Sequence, residues 1–481
     1  MSSNTTLVWF RRDLRLGDNQ ALCEAAGRGG AVVPVFVWAP EVEGAWAPGA
    51  AGRWWLHQSL RALDAALRER GSRLILRQGE SVACLLEAVR DTGAGAVCWS
   101  RCYGPARRDQ DVEAALVEAG IEARSFPGAL LSAPEGAVNK QGKPYQVFTP
   151  FWKAQVAGID SGEPLATPKK LKAPQRWPAS LQLEELALEP SVDWTGGLRG
   201  AWQPGERGAD AALDRFLDEA LSDYADARDR PDLPGTSRLS PHLHFGEISP
   251  GCVWHAVRQR AATEGRKGLV RGEEAYLRQL AWREFAYHLL VHFPHTTDEP
   301  LRPAFARFPW REDAPALRAW QEGRTGYPLV DAGMRELRTT GWMHNRVRMS
   351  AASFLVKHLL VPWQTGARWF WDTLVDADLA NNTLGWQWTA GCGADAAPYF
   401  RIFNPVLQGK RFDPAGNYVR RWVPELAKLP ARWIHSPWQA PAGLLDEARV
   451  VLGDTYPSPI VEHKAARERA LLAYEAVKAQ G

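Results

Sequence analysis

The stretch that decides the fold is TGYPLVDAGMRELRTTGWMHNRVRM, residues 325–349. Its apolar residues recur at helical spacing. Two related stretches, DADLANNTLGWQW (376–388) and DAAPYFRIFNP (395–405), follow shortly after it. Together the three combine many tryptophans with several arginines and an asparagine. On helices, this mixture indicates a planar redox cofactor, an electron path to that cofactor and a polyanion nearby.

The composition is that of a soluble globular protein. Of the 481 residues, 45% are hydrophobic and 23% are charged. A chain of this length predicts two or three domains, because single cores stop growing beyond about 250 to 300 residues. The net charge is only +3, from 58 Lys and Arg against 55 Asp and Glu. A nucleic-acid partner would therefore have to bind through local basic patches.

The sequence contains no segment that indicates a membrane or a secretory route. No apolar run reaches the roughly 18 to 20 residues that a membrane span needs. The first residues, MSSNTTLVWFRRDLR, lack the apolar core of a signal peptide. We therefore expect a cytoplasmic protein with no membrane partner.

The six cysteines are scattered, and only Cys98 and Cys102 lie close together in the chain. A disulfide framework or a four-cysteine metal cluster needs tighter, paired spacing. The sequence also lacks a zinc motif such as H-E-x-x-H. We expect free, buried thiols and no metal site.

The first third of the chain predicts an α/β domain with a parallel, Rossmann-like sheet. Apolar and β-branched runs recur as TLVWF, AVVPVFVW, RLILR, AVCWS and EARSF, and helical patterns lie between them at 52–69, 81–92 and 107–119. That alternation is typical of βαβ units. An ordinary dinucleotide site is not predicted, because no G-x-G-x-x-G follows the first run.

The rest of the chain predicts a connector and then an all-α domain. Pro, Gly and Lys are frequent from about residue 131 to 205, which favours a long connector over the surface. Beyond it, amphipathic patterns predict helices over 209–221, 250–263, 272–291, 328–340, 344–360 and 367–374. The expected organisation is an α/β domain (1–130), a connector (131–205) and a helical domain (206–481).

The three stretches quoted first, with VWFRRDLRLGDNQAL (8–22) and YPSPIVEHKAARERALLAYEA (456–476), resemble the DNA photolyase and cryptochrome family. The resemblance covers nearly the whole chain. It is strongest to photolyases of cyclobutane pyrimidine dimers, of class I or a related class. It implies an antenna domain, a helical FAD-binding catalytic domain, and light-driven repair of a dimer flipped out of UV-damaged DNA. We expect a monomer.

The segment GTSRLSPHLHFGEISP (235–250) offers hydroxyl and backbone N–H groups at a predicted helix start, which suits phosphate. Most such clusters are only helix caps. In the family, the matching residues hold the pyrophosphate of FAD. The resemblance assigns to FAD the residues Tyr224, Thr236, Ser237, Arg238, Leu239, Ser240, Arg283, Asn345, Arg348, Asp376, Asp378 and Asn382.

Three of these assignments bear on the flavin ring. The resemblance pairs Arg348 with Asp376 beside the ring and places Asn382 at flavin N5. An asparagine at that position is similar to photolyases, whereas plant cryptochromes usually have aspartate and animal ones cysteine. The amide favours a fully reduced, electron-donating flavin.

Three tryptophans match the relay that re-reduces the flavin in this family: Trp386, Trp363 and Trp310. Indoles can yield an electron to an excited flavin, and short hops outpace one long tunnelling step. Without the resemblance they would be interpreted as core residues, since the chain has 23 tryptophans.

A helix over RQLAWREFAYHL (278–289) would place Gln279, Trp282 and Arg283 on one face. Photolyases of cyclobutane dimers commonly have glutamate where this chain has Gln279. An amide forms hydrogen bonds but supplies neither a proton nor a charge, so the repair rate and lesion preference stay open. Gln279 and Met349 complete the predicted catalytic set.

The resemblance also assigns a DNA-binding rim and a lesion pocket. Its members are Arg228, Gln279, Trp282, Arg283, Asn345, Arg346, Met349, Trp388 and Arg401. Arginines around a pocket hold phosphates without reading sequence, and Trp388 would stack on the flipped dimer. Asn345 follows His344, so the paired histidines of photolyases acting on (6-4) photoproducts are missing. This argues against that lesion.

Alternatives remain. A blue-light photoreceptor of the cryptochrome type would share the FAD and the tryptophan relay, but the chain ends soon after residue 476, without a long signalling tail. A flavin electron-transfer protein would not bind DNA. The antenna pigment is also open: Arg107 stands where folate-binding relatives commonly place a glutamate, which argues against folate and leaves deazaflavin, a second flavin or no pigment.

Overall fold

The computed structural model describes residues 5–104, 108–156, 158–159, 162–264, 267–396 and 400–479. The chain divides into two compact units. The first unit consists of Met1–Ser222, Ser237–Pro294 and Val375–Asp378, and the second of Asp223–Thr236, His295–Leu374 and Leu379–Gly481. The domain boundaries predicted near residues 130 and 205 stay predictions.

The first unit contains the parallel sheet that the sequence predicts. Its strands are β1 (Thr6–Phe10), β2 (Val32–Trp38), β3 (Ile75–Gln78), β4 (Ala96–Ser100) and β5 (Glu122–Phe126). They run in the order β3-β2-β1-β4-β5, and all neighbours are parallel. All five predicted runs form strands, so the expected α/β fold of this part is confirmed.

The central strands are buried on both faces, which explains their continuous apolar runs. Every residue of β1 and β2 is buried. Proline is unusual inside a sheet because it cannot donate a backbone hydrogen bond. Pro34 is tolerated because β3 pairs with β2 only from Val35 onward. On the other side, Pro34 lies opposite Val8 of β1.

The helices follow the predicted pattern closely. In chain order the earlier ones are α1 (Gln20–Gly27), α2 (Ala50–Arg68), α3 (Ser81–Thr92), α4 (Arg108–Glu118), α5 (Phe148–Phe151), α6 (Gly196–Ala201), α7 (Glu206–Arg215), α8 (Tyr224–Ala227), α9 (Ser240–Phe245), α10 (Pro250–Glu264) and α11 (Lys267–His292). The later ones are α12 (Ala314–Glu322), α13 (Pro328–Thr340), α14 (Asn345–Ser353), α15 (Trp363–Thr373), α16 (Leu379–Ala390), α17 (Pro405–Phe412), α18 (Asn417–Trp422), α19 (Ala431–Ile434), α20 (Ala442–Ala448) and α21 (His463–Lys478).

Shorter helical segments complete the chain. Three are π-helical: Trp152–Val156, Phe216–Ala220 and Phe354–His358. Turns of 3₁₀ helix occur at Pro40–Trp46, Leu183–Leu186, Pro294–Thr297, Pro303–Arg307, Pro424–Leu426 and Pro437–Gln439. Within the described ranges, no helix is both long and apolar enough to span a membrane. The predicted connector is mostly irregular, with α5, α6 and two of these short segments inside it.

A buried carboxylate, Glu247, ties together distant segments of the first unit. It is completely buried and accepts hydrogen bonds from Trp55 Nε1 (3.0 Å), Ser59 Oγ and the backbone N–H of Gly205 (2.7 Å). Its second oxygen lies 2.5 Å from His242 Nδ1. A carboxylate is buried at tolerable cost only when it is paired in this way. Glu247 therefore fixes α2, α9 and the end of the connector relative to one another.

We predict that Glu247→Ala destabilises the protein by about 3 to 5 kcal/mol, because it leaves several buried donors without an acceptor. Thermal or urea unfolding followed by circular dichroism would measure this. Glu69→Ala is a matched control, since Glu69 is exposed and pairs with Arg207 on the surface. It should cost at most about 1 kcal/mol. Equal effects of the two substitutions would contradict the role of Glu247.

Candidate functional site

Helix α11 of the first unit carries three of the predicted site residues. Gln279 and Trp282 are half-buried, and Trp282 stacks on Phe148 with 3.9 Å between ring centroids and 6° between planes. The side-chain Nε2 of Gln279 donates to the carbonyl of Ala275 at 3.2 Å. The predicted helical spacing is confirmed. The catalytic role of Gln279 and the DNA role of Trp282 stay predictions.

Arg283 lies on the same helix but points into the protein. It is only 9% exposed, and its guanidinium donates to the carbonyls of Ala129 (2.7 Å) and Leu243 (3.4 Å). The neighbouring Glu284 accepts from the backbone N–H groups of Leu131 and Ser132, and burial raises the pKa of Glu284 to about 7. Helix α11 thus holds the start of the connector. The FAD and DNA roles of Arg283 stay predictions.

Asp378, predicted to contact FAD, is the centre of a second buried network in the first unit. Its Oδ2 accepts a 2.5 Å hydrogen bond from the hydroxyl of Tyr287 and lies 3.5 Å from Nδ1 of His244. Hydrogen bonds from His244 and Tyr287 and the positive charge of Arg283 outweigh desolvation and hold the pKa of Asp378 well below its usual value. Asp376 is also buried. The predicted pair of Asp376 with Arg348 stays a prediction.

The segment around Ser237 has a locally fixed backbone. Ser237 Oγ accepts from the backbone N–H of Leu239 (3.3 Å) and from the hydroxyl of Tyr276 on α11 (3.0 Å). Arg238 has a positive φ of 55°, and its guanidinium lies 4.2 Å from the ring centroid of Trp202. Ser240 is exposed and begins α9, a helix of six residues. The assignments of Thr236, Ser237, Arg238, Leu239 and Ser240 to FAD stay predictions.

Helix α14 of the second unit begins at a histidine cap. The preceding helix ends at Gly341, whose φ of 66° suits glycine, and His344 then accepts a hydrogen bond at Nδ1 from the backbone N–H of Arg346 (3.2 Å). Burial lowers the pKa of His344 to about 4, which keeps Nδ1 free to accept. The helix therefore starts at Asn345, one residue later than the pattern predicts.

The cap positions the predicted lesion-pocket residues of α14. Asn345 is exposed, and both its Nδ2 and Nη1 of Arg346 lie 3.9 Å from the sulfur of Met349. Arg346 also forms a 2.6 Å ion pair with Asp229 and lies 4.5 Å from the ring centroid of Phe412. Arg348 donates to the carbonyl of Met343 at 2.7 Å. The structure thus places Asn345, Arg346 and Met349 together.

Two further predicted residues lie on or beside the short helix α8. Tyr224 is buried, which raises its pKa to about 12, and so its hydroxyl stays protonated. Arg228 is half-buried, and its guanidinium lies 5.7 Å from the ring centroid of Tyr224. Asp229, which pairs with Arg346, is the next residue along. Residues 228, 229 and 346 therefore belong to one charged cluster of the second unit.

Asn382 on α16 has a fixed orientation. It is half-buried, and its Nδ2 donates to the carbonyl of Ala367 on α15 at 3.1 Å. Because the carbonyl can only accept, this bond assigns the nitrogen end of the carboxamide. No described residue donates a hydrogen bond to Oδ1 in the structure. The oxygen of this carboxamide is therefore the end that does not face Ala367, and the place of Asn382 at flavin N5 stays a prediction.

The three predicted relay tryptophans all lie in the second unit, and their role as an electron path stays a prediction. Trp386 on α16 is 2% exposed and lies against α15, where a Cβ added to Gly366 would come within 2.1 Å of its ring. Trp363, which lies one turn before Gly366 on α15, is 1% exposed. The backbone N–H of Arg311 donates to Leu360, three residues before Trp363. Trp310, adjacent to Arg311, is half-buried.

Trp388 and Arg401 line one pocket of the second unit, together with Ser353, Lys357, Thr389, Gly391 and Phe403. Trp388 is half-buried, and its Nε1 donates to the carbonyl of Asp395 at 3.1 Å. Lys357 is buried, and Nζ donates to Ala390 at the end of α16 (2.6 Å). Burial lowers the pKa of Lys357 well below its usual value. The pocket brings together two residues that were predicted to contact DNA.

Sequence reasoning missed the residues that orient the predicted ones. Tyr287 donates to Asp378, and Trp320 lies edge-on to Trp386 with 6.3 Å between centroids. A helical stripe could have pointed to Tyr287, because it follows Gln279 and Arg283 at four-residue spacing. Trp320 carried no such signal. In the α/β region, which is predicted to be the antenna domain, Arg11 pairs with Asp109 at 2.5 Å. Arg107, on which the prediction about folate depends, lies outside the described residues.

Comparisons with known proteins agree with this architecture. A family model described as DNA photolyase matches residues 6–170, and one described as the FAD binding domain of DNA photolyase matches 276–476. A deoxyribodipyrimidine photo-lyase of Agrobacterium fabrum is 49% identical to this chain, over 98% of both chains. Cryptochrome-1 of Arabidopsis thaliana is 42% identical over 97% of this chain and 70% of its own.

A solved structure extends the likeness to the fold. The crystal structure of a bacterial class III photolyase from Agrobacterium tumefaciens has a TM-score of 0.95 and 48% identity, covering 100% of this chain and 98% of its own. A parallel α/β region followed by a helix-rich FAD-binding domain defines a flavoprotein. The chain belongs to the DNA photolyase and cryptochrome family, and its cofactor is FAD.

The residues present fit this cofactor. Flavin carries N–H donors and acceptor oxygens on a planar ring, and its ribityl chain carries hydroxyl donors. Asn382 offers an acceptor oxygen that no described residue occupies, and Asp378 offers a buried carboxylate. Within the described residues, no group of three or more His, Cys, Asp or Glu side chains could hold a metal ion.

Proposed function

We propose that this protein repairs cyclobutane pyrimidine dimers in UV-damaged DNA, using blue light and reduced FAD. The observation that carries the proposal is the fixed carboxamide of Asn382, whose nitrogen is held by Ala367. The free acceptor Oδ1 suits the N5–H of a reduced flavin, the form that can donate an electron. Relatives named deoxyribodipyrimidine photo-lyase, up to 49% identical, support the same reaction.

The single electron that opens the cyclobutane ring would come from bound, light-excited reduced FAD and would return to it afterwards. The protein holds the cofactor through the pyrophosphate segment at 236–240 and through Tyr224, Asp376 and Asp378. Asn382 keeps a hydrogen-bond acceptor at N5, which favours the reduced form. Arg348 contributes positive charge near the ring.

The tryptophan series restores the reduced cofactor. Trp386 and Trp363 are shielded from water, whereas Trp310 is half-exposed, so an electron can enter from solvent at Trp310 and leave at Trp386. The packing of Trp386 on Gly366 keeps the ring close to α15. The proposed hops run from Trp310 to Trp363 on α15 and from there to Trp386 on α16.

The lesion is proposed to bind where Trp388, Asn345 and Met349 offer stacking and polar contacts. Trp388 supplies a flat ring held at its Nε1, and Arg401 lies in the same pocket. Arg228 and Arg346 supply charge for phosphates, although Asp229 neutralises part of it. Phosphate contacts of this kind fix position without reading sequence. We expect a monomer that acts in the cytoplasm.

Gln279 replaces the usual glutamate in this proposal. Its half-buried amide can both donate and accept, so it can hydrogen-bond a thymine carbonyl or N3–H. It cannot neutralise or protonate the dimer during cleavage. We therefore expect repair with a lower quantum yield than in a Gln279→Glu variant.

A cryptochrome-type photoreceptor is the second candidate, because Cryptochrome-1 of Arabidopsis thaliana is 42% identical over 97% of this chain. That function requires photoreduction of FAD but no preference for damaged DNA. Affinity for a thymine-dimer oligonucleotide relative to its undamaged counterpart distinguishes the two. A receptor would bind both oligonucleotides equally.

The direct test is repair of a thymine-dimer oligonucleotide by the purified, chemically reduced protein under blue light. We expect the thymines to be restored in the light and the dimer to persist in the dark. Gln279→Glu provides the comparison for quantum yield, and Trp388→Ala a variant with weakened lesion binding. Absence of repair by the wild-type protein, with FAD bound and reduced, would contradict the proposal.

Replacing Trp386 by phenylalanine should slow photoreduction by an order of magnitude or more, because phenylalanine is much harder to oxidise than indole. Repair by chemically reduced protein should be unchanged. Flavin absorbance under blue light, with an external electron donor, measures the rate. Trp320→Phe is the matched control, since Trp320 touches the ring of Trp386 but lies outside the proposed series. If Trp320→Phe is the slow variant, the electron path runs through α12.

Trp388→Ala should weaken binding of dimer-containing DNA by roughly 1 to 3 kcal/mol, the value of one stacked base. Binding of undamaged DNA and retention of FAD should not change. Fluorescence anisotropy with labelled oligonucleotides at fixed salt measures both affinities. Trp388→Phe keeps a stacking ring but removes the hydrogen bond to Asp395. We expect its affinity for dimer-containing DNA to lie between those of the wild type and Trp388→Ala. Unchanged affinity in Trp388→Ala would refute the assignment.

A further inference from the structure

Tyr287 is a buried tyrosine on α11 to which the proposed mechanism gives no role. It is 5% exposed, and its ring lies edge-on to Tyr103 with 6.4 Å between centroids. Its hydroxyl donates to Oδ2 of Asp378 at 2.5 Å. This is the most direct contact to Asp378 in the first unit. Tyrosine hydroxyls are buried only with a partner, and here the partner is a residue assigned to FAD.

The surroundings of Asp378 make this contact consequential. Charged and titratable groups reach it from every element packed against it: Arg12 after β1, His244 on α9, Arg283 and Tyr287 on α11, and Asp376 two residues earlier. Arg283 is engaged with backbone carbonyls, and His244 lies 3.5 Å away, a long contact. Tyr287 therefore makes a shorter contact with the carboxylate than His244 does.

We propose that Tyr287 is a positioning residue of the FAD site, which fixes the orientation and the negative charge of Asp378. The anchored carboxylate accepts a hydrogen bond from a donor of the cofactor, either a ribityl hydroxyl or a ring N–H. This inference rests on the assignment of Asp378 to FAD. Tyr287 itself does not touch the cofactor; it acts by holding one carboxylate oxygen, which directs the other.

The protonation states are consistent with this role. Burial raises the pKa of Tyr287 above its usual value, so the hydroxyl stays a donor at all relevant pH values. Burial lowers the pKa of His244, so its ring is neutral near neutral pH. The pKa of Asp378 is held low, so its charge is present at neutral pH and is lost only as the pH falls through that low value. Removing the Tyr287 hydroxyl should raise the pKa of Asp378.

The test measures FAD binding, not repair. Apoprotein of the wild type, Tyr287→Phe, Asp378→Asn and the double variant is titrated with FAD, and flavin fluorescence gives the dissociation constant. We expect Tyr287→Phe to raise this constant about three- to tenfold, the effect of losing one modest hydrogen bond. In the Asp378→Asn background the same substitution should have no further effect, since the carboxylate it orients is gone.

The pH dependence separates positioning from a general packing effect. When holoprotein is acidified, FAD should be released at a higher pH from Tyr287→Phe than from the wild type, because the loss of one donor raises the pKa of Asp378. His244→Phe removes the second donor and should shift the midpoint in the same direction. This variant tests the network independently if Tyr287→Phe does not fold.

Tyr456→Phe is the matched control. Tyr456 is also buried and donates to a buried aspartate, Asp331, at 2.6 Å, but in the second unit, and neither residue is assigned to FAD. It should lower thermal stability without changing FAD affinity or the acid midpoint of release.

The possible failures are distinguishable. Wild-type values for FAD affinity and acid midpoint in Tyr287→Phe, with Asp378→Asn impaired, would refute the role of Tyr287. Unchanged FAD affinity in Asp378→Asn would refute the assignment of Asp378 to FAD, on which the inference rests. Neither result bears on repair by the wild type, which the oligonucleotide assay measures separately.

Discussion

Buried carboxylates must be supplied with hydrogen-bond donors, and this constraint organises both units of the protein. In the first unit, Glu247 collects donors from α2, α9 and the connector. In the second, Asp331 accepts from the backbone N–H groups of Thr325 and Gly326 and from the hydroxyl of Tyr456. Each carboxylate would be costly to bury unpaired, so it fixes the positions of segments far apart in sequence.

The candidate site uses the same principle for function. Asp378 is held by Tyr287 and His244, Asn382 is held by Ala367, and α14 begins at a histidine cap. In each case the side chain assigned to the cofactor or the lesion is oriented by a neighbour to which the sequence analysis gave no role in the site. The motif supplies the chemical groups, and their supporting contacts supply the geometry in which those groups can act.

The elements of the fold could be predicted from sequence because their signals are local. The runs TLVWF and AVCWS form strands, and α3 and α13 have the predicted bounds. The ends of other helices depended on specific contacts: α14 starts after the cap at His344 and passes into a π-helical turn at Phe354–His358. Contacts such as Tyr287 with Asp378 join residues 91 positions apart, and no local pattern encodes them. Family resemblance identified the chemical groups of the site, but not the neighbours that hold them.

The central claim is that light-excited, reduced FAD in this protein gives an electron to a bound dimer. The most direct measurement is the excited-state lifetime of the reduced flavin, recorded with saturating dimer-containing DNA and with the same undamaged sequence. The account predicts that the lifetime shortens only with the dimer, and that this shortening is weaker in Trp388→Ala at equal DNA concentration. An identical lifetime with both DNAs, under conditions where both are bound, would contradict it.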